Sequence, residues 1–217
     1  MSDTHPSPAT AGPLDPIDDQ VPTRAPGGRE FGWVALITGL LGLWASASLA
    51  IDYINRLVFG QDYVAACDIN PMIGCGLFLD SDAASAFAIP NVVVGVAAFP
   101  VVITLAMLLL SRVELPRWIW RGAVVGGLFG IGFVTWLQYQ ALFVLSGLCP
   151  YCLVIWAVMI PLFVHIVARA GEAGALGFSA GVARQLVRNR WIIVVLWYLV
   201  VAAAILLVLG EALLAVM

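Results

Sequence analysis

Five long apolar stretches constrain this chain more than any other feature of its sequence. They cover roughly residues 33–58, 88–110, 122–146, 150–168 and 191–215. A helix of about 20 apolar residues crosses the hydrocarbon core of a bilayer, which is about 30 Å thick. The chain is also 62% hydrophobic and only 11% charged, whereas soluble domains are about 45–50% apolar and about 25% charged. The sequence therefore predicts an all-α integral membrane protein.

The composition also divides the chain into segments. Residues 1–30 are rich in Pro, Asp, Ser and Gly and contain no aromatic residue, which predicts a disordered tail. Their acidic, proline-rich start lacks the basic region and apolar core of a signal peptide, so we expect the first apolar stretch to be retained. The predicted segments are the cytoplasmic tail 1–30, a four-helix core 31–170 with an outer loop at 59–87, a cytoplasmic loop 171–190, and a fifth transmembrane helix 191–217.

The arginines predict an orientation. Nine of the ten basic residues, all arginine, lie in the tail or in the connections after the second and fourth stretches. Arg56 is the exception, and the outer loop carries Asp62, Asp68, Asp80 and Asp82. Because short cytoplasmic loops hold the excess of positive charge, the N-terminus is expected in the cytoplasm. The protein itself is expected in the inner or plasma membrane of the cell. All four cysteines then face the extracytoplasmic side.

Several function classes are excluded by residue types. The chain has no lysine, no Gly-rich phosphate loop and no stripe of basic and aromatic residues, so neither P-loop chemistry nor nucleic-acid binding is predicted. Its two histidines, His5 and His165, are predicted to lie in the tail and near the cytoplasmic end of the fourth span, which excludes a bis-histidine haem site. Gly122, Gly126 and Gly130 predict a face for close helix packing.

The cysteines form two pairs, Cys67 and Cys75 as C-x7-C in the outer loop, and Cys149 and Cys152 as C-x-x-C in the turn between two spans. Three interpretations compete. A zinc site usually has two close pairs, which the seven-residue gap does not provide. Two structural disulfides are the second possibility, because disulfides persist outside the cytoplasm. A redox centre is the third.

The position of Cys149 favours the redox interpretation. Pro150 is suited to the first position of a helix, so Cys149 is expected to be its N-cap, where a thiolate meets unpaired amides and the positive end of the helix dipole. Cys152, one turn further along, is expected to lie deeper in the membrane. Since thiol exchange passes between contacting cysteines, the loop pair could then carry electrons inward to the C-x-x-C pair.

Three segments resemble a known family when taken in order. "QDYVAACDINPMIGC" (61–75), "AIPNVVVG" (88–95) and "LCPYC" (148–152) resemble the signature segments of the vitamin K epoxide reductase family, in the bacterial form that oxidises disulfide-forming partners. The resemblance covers the first four spans. The bacterial disulfide-bond protein B family does similar chemistry, but its C-x-x-C pair precedes the loop pair.

The resemblance implies a role for each cysteine. Cys149 and Cys152 would match the active-site disulfide, with Cys152 beside a quinone. Cys75 would attack Cys149, and Cys67 would exchange with an outside partner. Asp68, directly after Cys67, has two interpretations that do not depend on the resemblance. Its negative charge would raise the pKa of the Cys67 thiol, or it is a solvated loop acid without consequence.

The resemblance also implies a quinone site, for menaquinone or ubiquinone. Asn91 matches the family residue that hydrogen-bonds a quinone oxygen, although an asparagine there could instead cap its own helix. Trp156 stands where the animal enzymes have a hydrogen-bonding tyrosine, and an indole donates but does not accept. Residues 76–87 are expected to form a short interfacial helix that covers the quinone pocket.

The predicted function is a quinone-dependent thiol oxidoreductase that makes disulfides. Its four-cysteine relay would pass them to a thioredoxin-fold disulfide carrier outside the membrane. Because the sequence ends at Met217, directly after the fifth stretch, we expect this carrier to be a separate protein. The alternative from another class is a non-enzymatic membrane scaffold or transporter with two structural disulfides.

Overall fold

The computed structural model of the chain describes residues 28–70, 72–85 and 89–216. Its long helices are α1 (Gly28–Phe59), α3 (Asn91–Leu110), α4 (Arg117–Tyr139), α5 (Pro150–Glu172) and α6 (Ala180–Val216). A single short turn of helix, α2 (Gly76–Leu79), lies in the loop between α1 and α3. In the described residues, five helices are long and apolar enough to cross a membrane, which confirms the predicted all-α membrane fold.

Three of the helices begin earlier than their apolar stretches, and α4 does so by five residues, at Arg117. Helix α1 starts at Gly28, and α6 starts at Ala180. Because α5 also continues to Glu172, more than half of the predicted cytoplasmic loop 171–190 is helical. The segment "AGVARQLVRNR" that opens α6 consists mostly of good helix formers, which hydropathy alone does not register. The tail predicted at 1–30 otherwise falls outside the described residues.

Helix α5 is the centre of the bundle. It packs against α1, α4 and α6, while α3 packs against α1. Thirteen residues of α5 are buried, among them Trp156, Ile160 and His165. Helix α6 therefore lies outside the group formed by the other four long helices, as a fifth helix against α5.

The topology gives the bundle two chemically different ends. All four cysteines lie at the end where α1 finishes and where α3 and α5 begin, which we call the cysteine end. The opposite end, the arginine end, holds the start of α1 and the connections from α3 to α4 and from α5 to α6. Arg112, Arg117 and Arg184 are in or beside those connections.

The predicted packing role of the glycines in α4 is wrong at two of three positions. A Cβ at Gly122 or Gly126 would have open space around it, whereas a Cβ at Gly130 would lie 2.6 Å from Met159 Cε of α5. Gly127 faces Phe163 of α5 in the same way. Each step of four residues turns the helix face by about 40°, so the three glycines do not share one contact line.

Candidate active site

The turn between α4 and α5 is joined to the cysteine loop by backbone hydrogen bonds. After α4, residues Gln140–Val144 widen into a π-helix, and Ser146 reverses the chain with a φ of 50°. The Leu148 amide then donates to the Met72 carbonyl oxygen at 2.8 Å, and the Gly74 amide donates to the Leu148 carbonyl oxygen at 3.0 Å. This short bridge sets the loop cysteine and the turn cysteine side by side.

Asp68 organises the loop around Cys75. Its Oδ1 accepts hydrogen bonds from the backbone amides of Cys75 at 2.7 Å and Gly76 at 2.9 Å, and its Oδ2 accepts from the Ala65 amide at 3.2 Å. A charged acceptor with three amide donors is a strong local constraint. Asp68 therefore shapes the loop, which neither sequence-based interpretation of this residue had anticipated.

The two loop cysteines form a disulfide, with a Cα–Cα distance of 5.7 Å between Cys67 and Cys75. Cys149 and Cys152 are free thiols. The Sγ atoms of Cys75 and Cys149 are 3.1 Å apart, and both residues are fully buried. The loop disulfide is therefore within reach of a thiol of the C-x-x-C pair, because exchange needs direct contact between an attacking sulfur and a disulfide sulfur.

Cys149 is the N-cap of α5, as the sequence predicts. Its Sγ accepts a hydrogen bond from the Cys152 amide at 3.3 Å. The Cys152 thiol also donates to it, and this bond, with backbone amides of Cys152 and Tyr151, lowers the pKa of Cys149 against the opposing effect of burial. Cys149 is only 1% exposed, and its sulfur faces Cys75 of the loop.

Cys152 lines a cavity of about 140 Å³ inside the cysteine end of the bundle. The walls come from α1, α3, α4 and α5, and are mostly apolar; examples are Leu49, Phe99, Phe133 and Ile155. Residues 76–85 lie over this cavity as α2 and a second short helical turn at Asp82–Ser85. The segment predicted to cover the pocket therefore does so as two short turns, and residues 86–88 lie outside the description.

Asn91 and Trp156 both line the same cavity. The N-cap of α3 is Pro90, so Asn91 does not cap its own helix. Its Nδ2 donates to the Ala83 carbonyl oxygen, which ties the covering turn to α3. Trp156 is 3% exposed.

Ser46 of α1 is a cavity residue that sequence reasoning missed. It is 1% exposed, and its Oγ has no hydrogen-bond partner in the described part of the chain. Hydroxyls inside helices usually bond to the carbonyl one turn earlier, as Thr38, Thr104 and Thr135 do here. Gly95 of α3 faces it so closely that an added Cβ would lie 2.3 Å from Ser46 Oγ. One serine in an apolar helix gives no sequence signal for such a position.

Asp52 is the second residue that sequence reasoning missed, although the sequence contains a signal for it. It is an acid within the first apolar stretch, and acids inside membrane spans usually have a function. In the structure it is buried, and its Oδ2 lies 3.7 Å from Cys67 Sγ.

A polar cluster at the arginine end has no contact with the cysteines. Glu30 of α1 accepts hydrogen bonds from Arg190 and from Trp191 Nε1 of α6, and His165 Nε2 lies 3.9 Å from its carboxylate. This cluster connects α6 to α1 and α5. The position of His165 in it agrees with the expectation that His165 lies far from the cysteines.

No group of three or more His, Cys, Asp or Glu side chains able to hold a metal ion occurs among the described residues. The loop cysteines are joined to each other, so their sulfurs cannot serve as thiolate ligands in this state.

The family comparison matches most of this region. The model of the Vitamin K epoxide reductase family matches residues 33–167, which include all four cysteines, Asn91 and Trp156 but not α6. A search of the curated proteins found no match to the chain.

Proposed function

Because the chain belongs to the vitamin K epoxide reductase family, we propose that it oxidises the dithiol of an outside protein and passes the electrons to a membrane quinone. Family membership and the five apolar helices make it a multi-pass membrane protein and a redox enzyme. The direction of the reaction, the cysteine relay and the partner are parts of the proposal.

The observation that carries the proposal is the 3.1 Å contact between Cys75 Sγ and Cys149 Sγ. In the relay, a partner thiolate attacks Cys67, the Cys67–Cys75 bond breaks, and a second partner thiolate then forms the partner's disulfide and releases Cys67. Two electrons now reside on Cys67 and Cys75 as thiols.

The second half of the relay uses the C-x-x-C pair in its disulfide form. The Cys75 thiolate attacks Cys149, Cys152 leaves as a thiolate, and Cys67 then attacks Cys75 and releases Cys149. The hydrogen bonds that lower the pKa of Cys149 make it a good leaving thiolate in this last exchange. The structure, with Cys67–Cys75 joined and the other two reduced, corresponds to the product of that exchange.

The cavity beside Cys152 suits a quinone ring. A bound quinone would accept two electrons and two protons from the Cys149 and Cys152 thiols. The walls are mostly apolar, and the buried Ser46 hydroxyl has no hydrogen-bond partner among the described residues. A carbonyl oxygen of the quinone would be such a partner. Asn91 and Trp156 are the other candidate polar contacts, and nothing in the lining distinguishes menaquinone from ubiquinone.

We place the cysteine end outside the cytoplasm and the N-terminus inside, because the arginines are concentrated at the opposite end. The partner would be a thioredoxin-fold disulfide carrier. Val64 and Ile69, on either side of Cys67, are 71% and 72% exposed and give an apolar surface on which such a carrier could dock.

The test is a quinone-reduction assay with purified protein in lipid nanodiscs, a reduced thioredoxin-fold dithiol protein and a short-chain quinone. Absorbance should report quinone reduction that matches, mole for mole, the disulfide formed in the donor. Cys149→Ser should abolish this quinone reduction. If Cys149 and Cys152 had only a structural role, even the wild type would not reduce the quinone. That second result would favour the scaffold or transporter alternative.

A further inference from the structure

Asp52 is a buried carboxylate next to a reacting sulfur. It lies near the end of α1 and is 3% exposed, and its Oδ2 is 3.7 Å from Cys67 Sγ. A charged group in such a place needs hydrogen-bond donors, because an unsatisfied buried carboxylate is costly.

In the described part of the chain, Oδ1 is the oxygen that accepts from groups other than Cys67. Oδ1 accepts from the Tyr63 hydroxyl at 2.8 Å and from the Ala66 amide at 3.4 Å. Oδ2 has one polar neighbour among the described residues, Cys67 Sγ at 3.7 Å. As half of the Cys67–Cys75 disulfide, this sulfur has no hydrogen to donate. The contact can therefore be a hydrogen bond only when Cys67 is a thiol, which then donates to Oδ2.

We infer that Asp52 is a catalytic base that takes the proton from Cys67 when Cys67 closes the loop disulfide. This inference rests on the proposed relay. Cys67 Sγ attacks Cys75 Sγ of the Cys75–Cys149 mixed disulfide, the Cys67–Cys75 bond forms, and the Cys75–Cys149 bond breaks. Cys67 is oxidised, Cys149 is reduced and leaves as a thiolate, and the Cys67 proton moves to Oδ2. Bulk water removes that proton before the next turnover.

The other charged and titratable groups around this pair have different contacts. Arg56 of α1 pairs with Asp80 and donates to the Tyr63 carbonyl oxygen, and Asp68 has its oxygens on three loop amides. Cys67 itself packs in an apolar cluster with Cys149, Tyr151 of α5 and Val92 of α3. Asp52 is the carboxylate whose oxygen faces Cys67.

The test uses the full-length protein with Asp52→Asn, which keeps an Oδ1 acceptor for Tyr63 and Ala66 but cannot accept a proton. Rapid alkylation and mass spectrometry during turnover should show the Cys75–Cys149 mixed disulfide accumulating. The rate of its resolution should fall about 100-fold at pH 7, the range of a lost general base. It should also rise about tenfold per pH unit, as expected when Cys67 must ionise unaided, while the wild-type rate stays nearly flat from pH 6 to 8.

The control is Asp62→Asn, which removes an exposed acid five residues before Cys67 and should behave as wild type. Wild-type kinetics and pH dependence in Asp52→Asn would overturn the role of Asp52. If Asp52→Asn does not fold, Asp52→Glu decides, because a retained carboxylate should keep the flat profile and a steep one would refute the inference. Absence of quinone reduction by the wild type is a separate result, which would refute the relay and the inference with it.

Discussion

Cys75 and Cys149 meet with their sulfurs 3.1 Å apart, although they are distant in sequence and lie on different elements. The contact depends on two backbone hydrogen bonds between the loop and the turn at Leu148, and on Asp68, which fixes the amide of Cys75. Both sulfurs are shielded from water, so an exchange between them is protected from outside thiols. The loop disulfide and the thiols of the C-x-x-C pair are thereby connected at a single point.

The hydrogen bond from the Cys152 thiol is the largest cause of the lowered pKa of Cys149. Cys152→Ala removes this donor, so the pKa of Cys149 should rise and less thiolate should be present at pH 7. Thiolate absorbance near 240 nm, followed against pH in protein with Cys67–Cys75 oxidised, measures this. An unchanged midpoint would show that the backbone amides alone set the acidity of Cys149.

Ser46→Ala should weaken quinone binding without changing the cysteine chemistry. Loss of one hydrogen bond to a buried oxygen costs about 1–1.5 kcal/mol, or about a tenfold rise in KM for the quinone. Steady-state kinetics with a short-chain quinone would show the rise with kcat nearly unchanged. Ser48→Ala, on the same helix but absent from the cavity wall, is the matched control, and equal effects of the two variants would contradict the assignment.

Gly95→Ala should damage both stability and the quinone site. The new Cβ would lie 2.3 Å from Ser46 Oγ and 2.9 Å from Ser46 Cβ, so α1 and α3 must separate. Overpacking of this kind costs about 1–3 kcal/mol. Gly132→Ala on α4, where an added Cβ meets open space, should be neutral or slightly stabilising. The midpoints of thermal unfolding of the two variants in nanodiscs measure this difference. Similar midpoints would show that α1 and α3 can separate at little cost in stability.

Glu30→Gln should loosen α6 while the active site continues to work. The carboxylate accepts from Arg190 and Trp191 of α6, and all of these groups lie at the end away from the cysteines. We expect a lower midpoint of thermal unfolding and an unchanged initial rate of quinone reduction. Glu114→Gln, an exposed acid in the α3–α4 connection, should change neither. A loss of initial rate in Glu30→Gln would mean that the fifth helix affects catalysis.

Patterns in the sequence were sufficient to predict the fold and part of the candidate site. Hydropathy predicted five spans, and the Cys149–Pro150 order predicted the N-cap that the structure shows. The helix starts at Gly28 and Ala180 were missed, because polar residues extend helices beyond the membrane.

Features that depend on packing between helices could not be predicted in this way. The contact of Ser46 with Gly95 arises from the crossing of α1 and α3, and no spacing in the sequence encodes it. The same holds for Gly122 and Gly126, whose repeat suggested packing although both face open space. Asp52 differs, since an acid in an apolar stretch is visible in the sequence but its pairing with Cys67 is not.

The relay is tested most directly by trapping its central intermediate in Cys152→Ser. Without the Cys152 sulfur, the C-x-x-C disulfide cannot form and no electrons can reach the quinone. When this variant is reduced and then oxidised gently, mass spectrometry should find a Cys75–Cys149 mixed disulfide in a large share of the protein, and quinone reduction should be absent. Continued quinone reduction by Cys152→Ser, or recovery of Cys67–Cys75 alone with no Cys75–Cys149 bond, would contradict the relay.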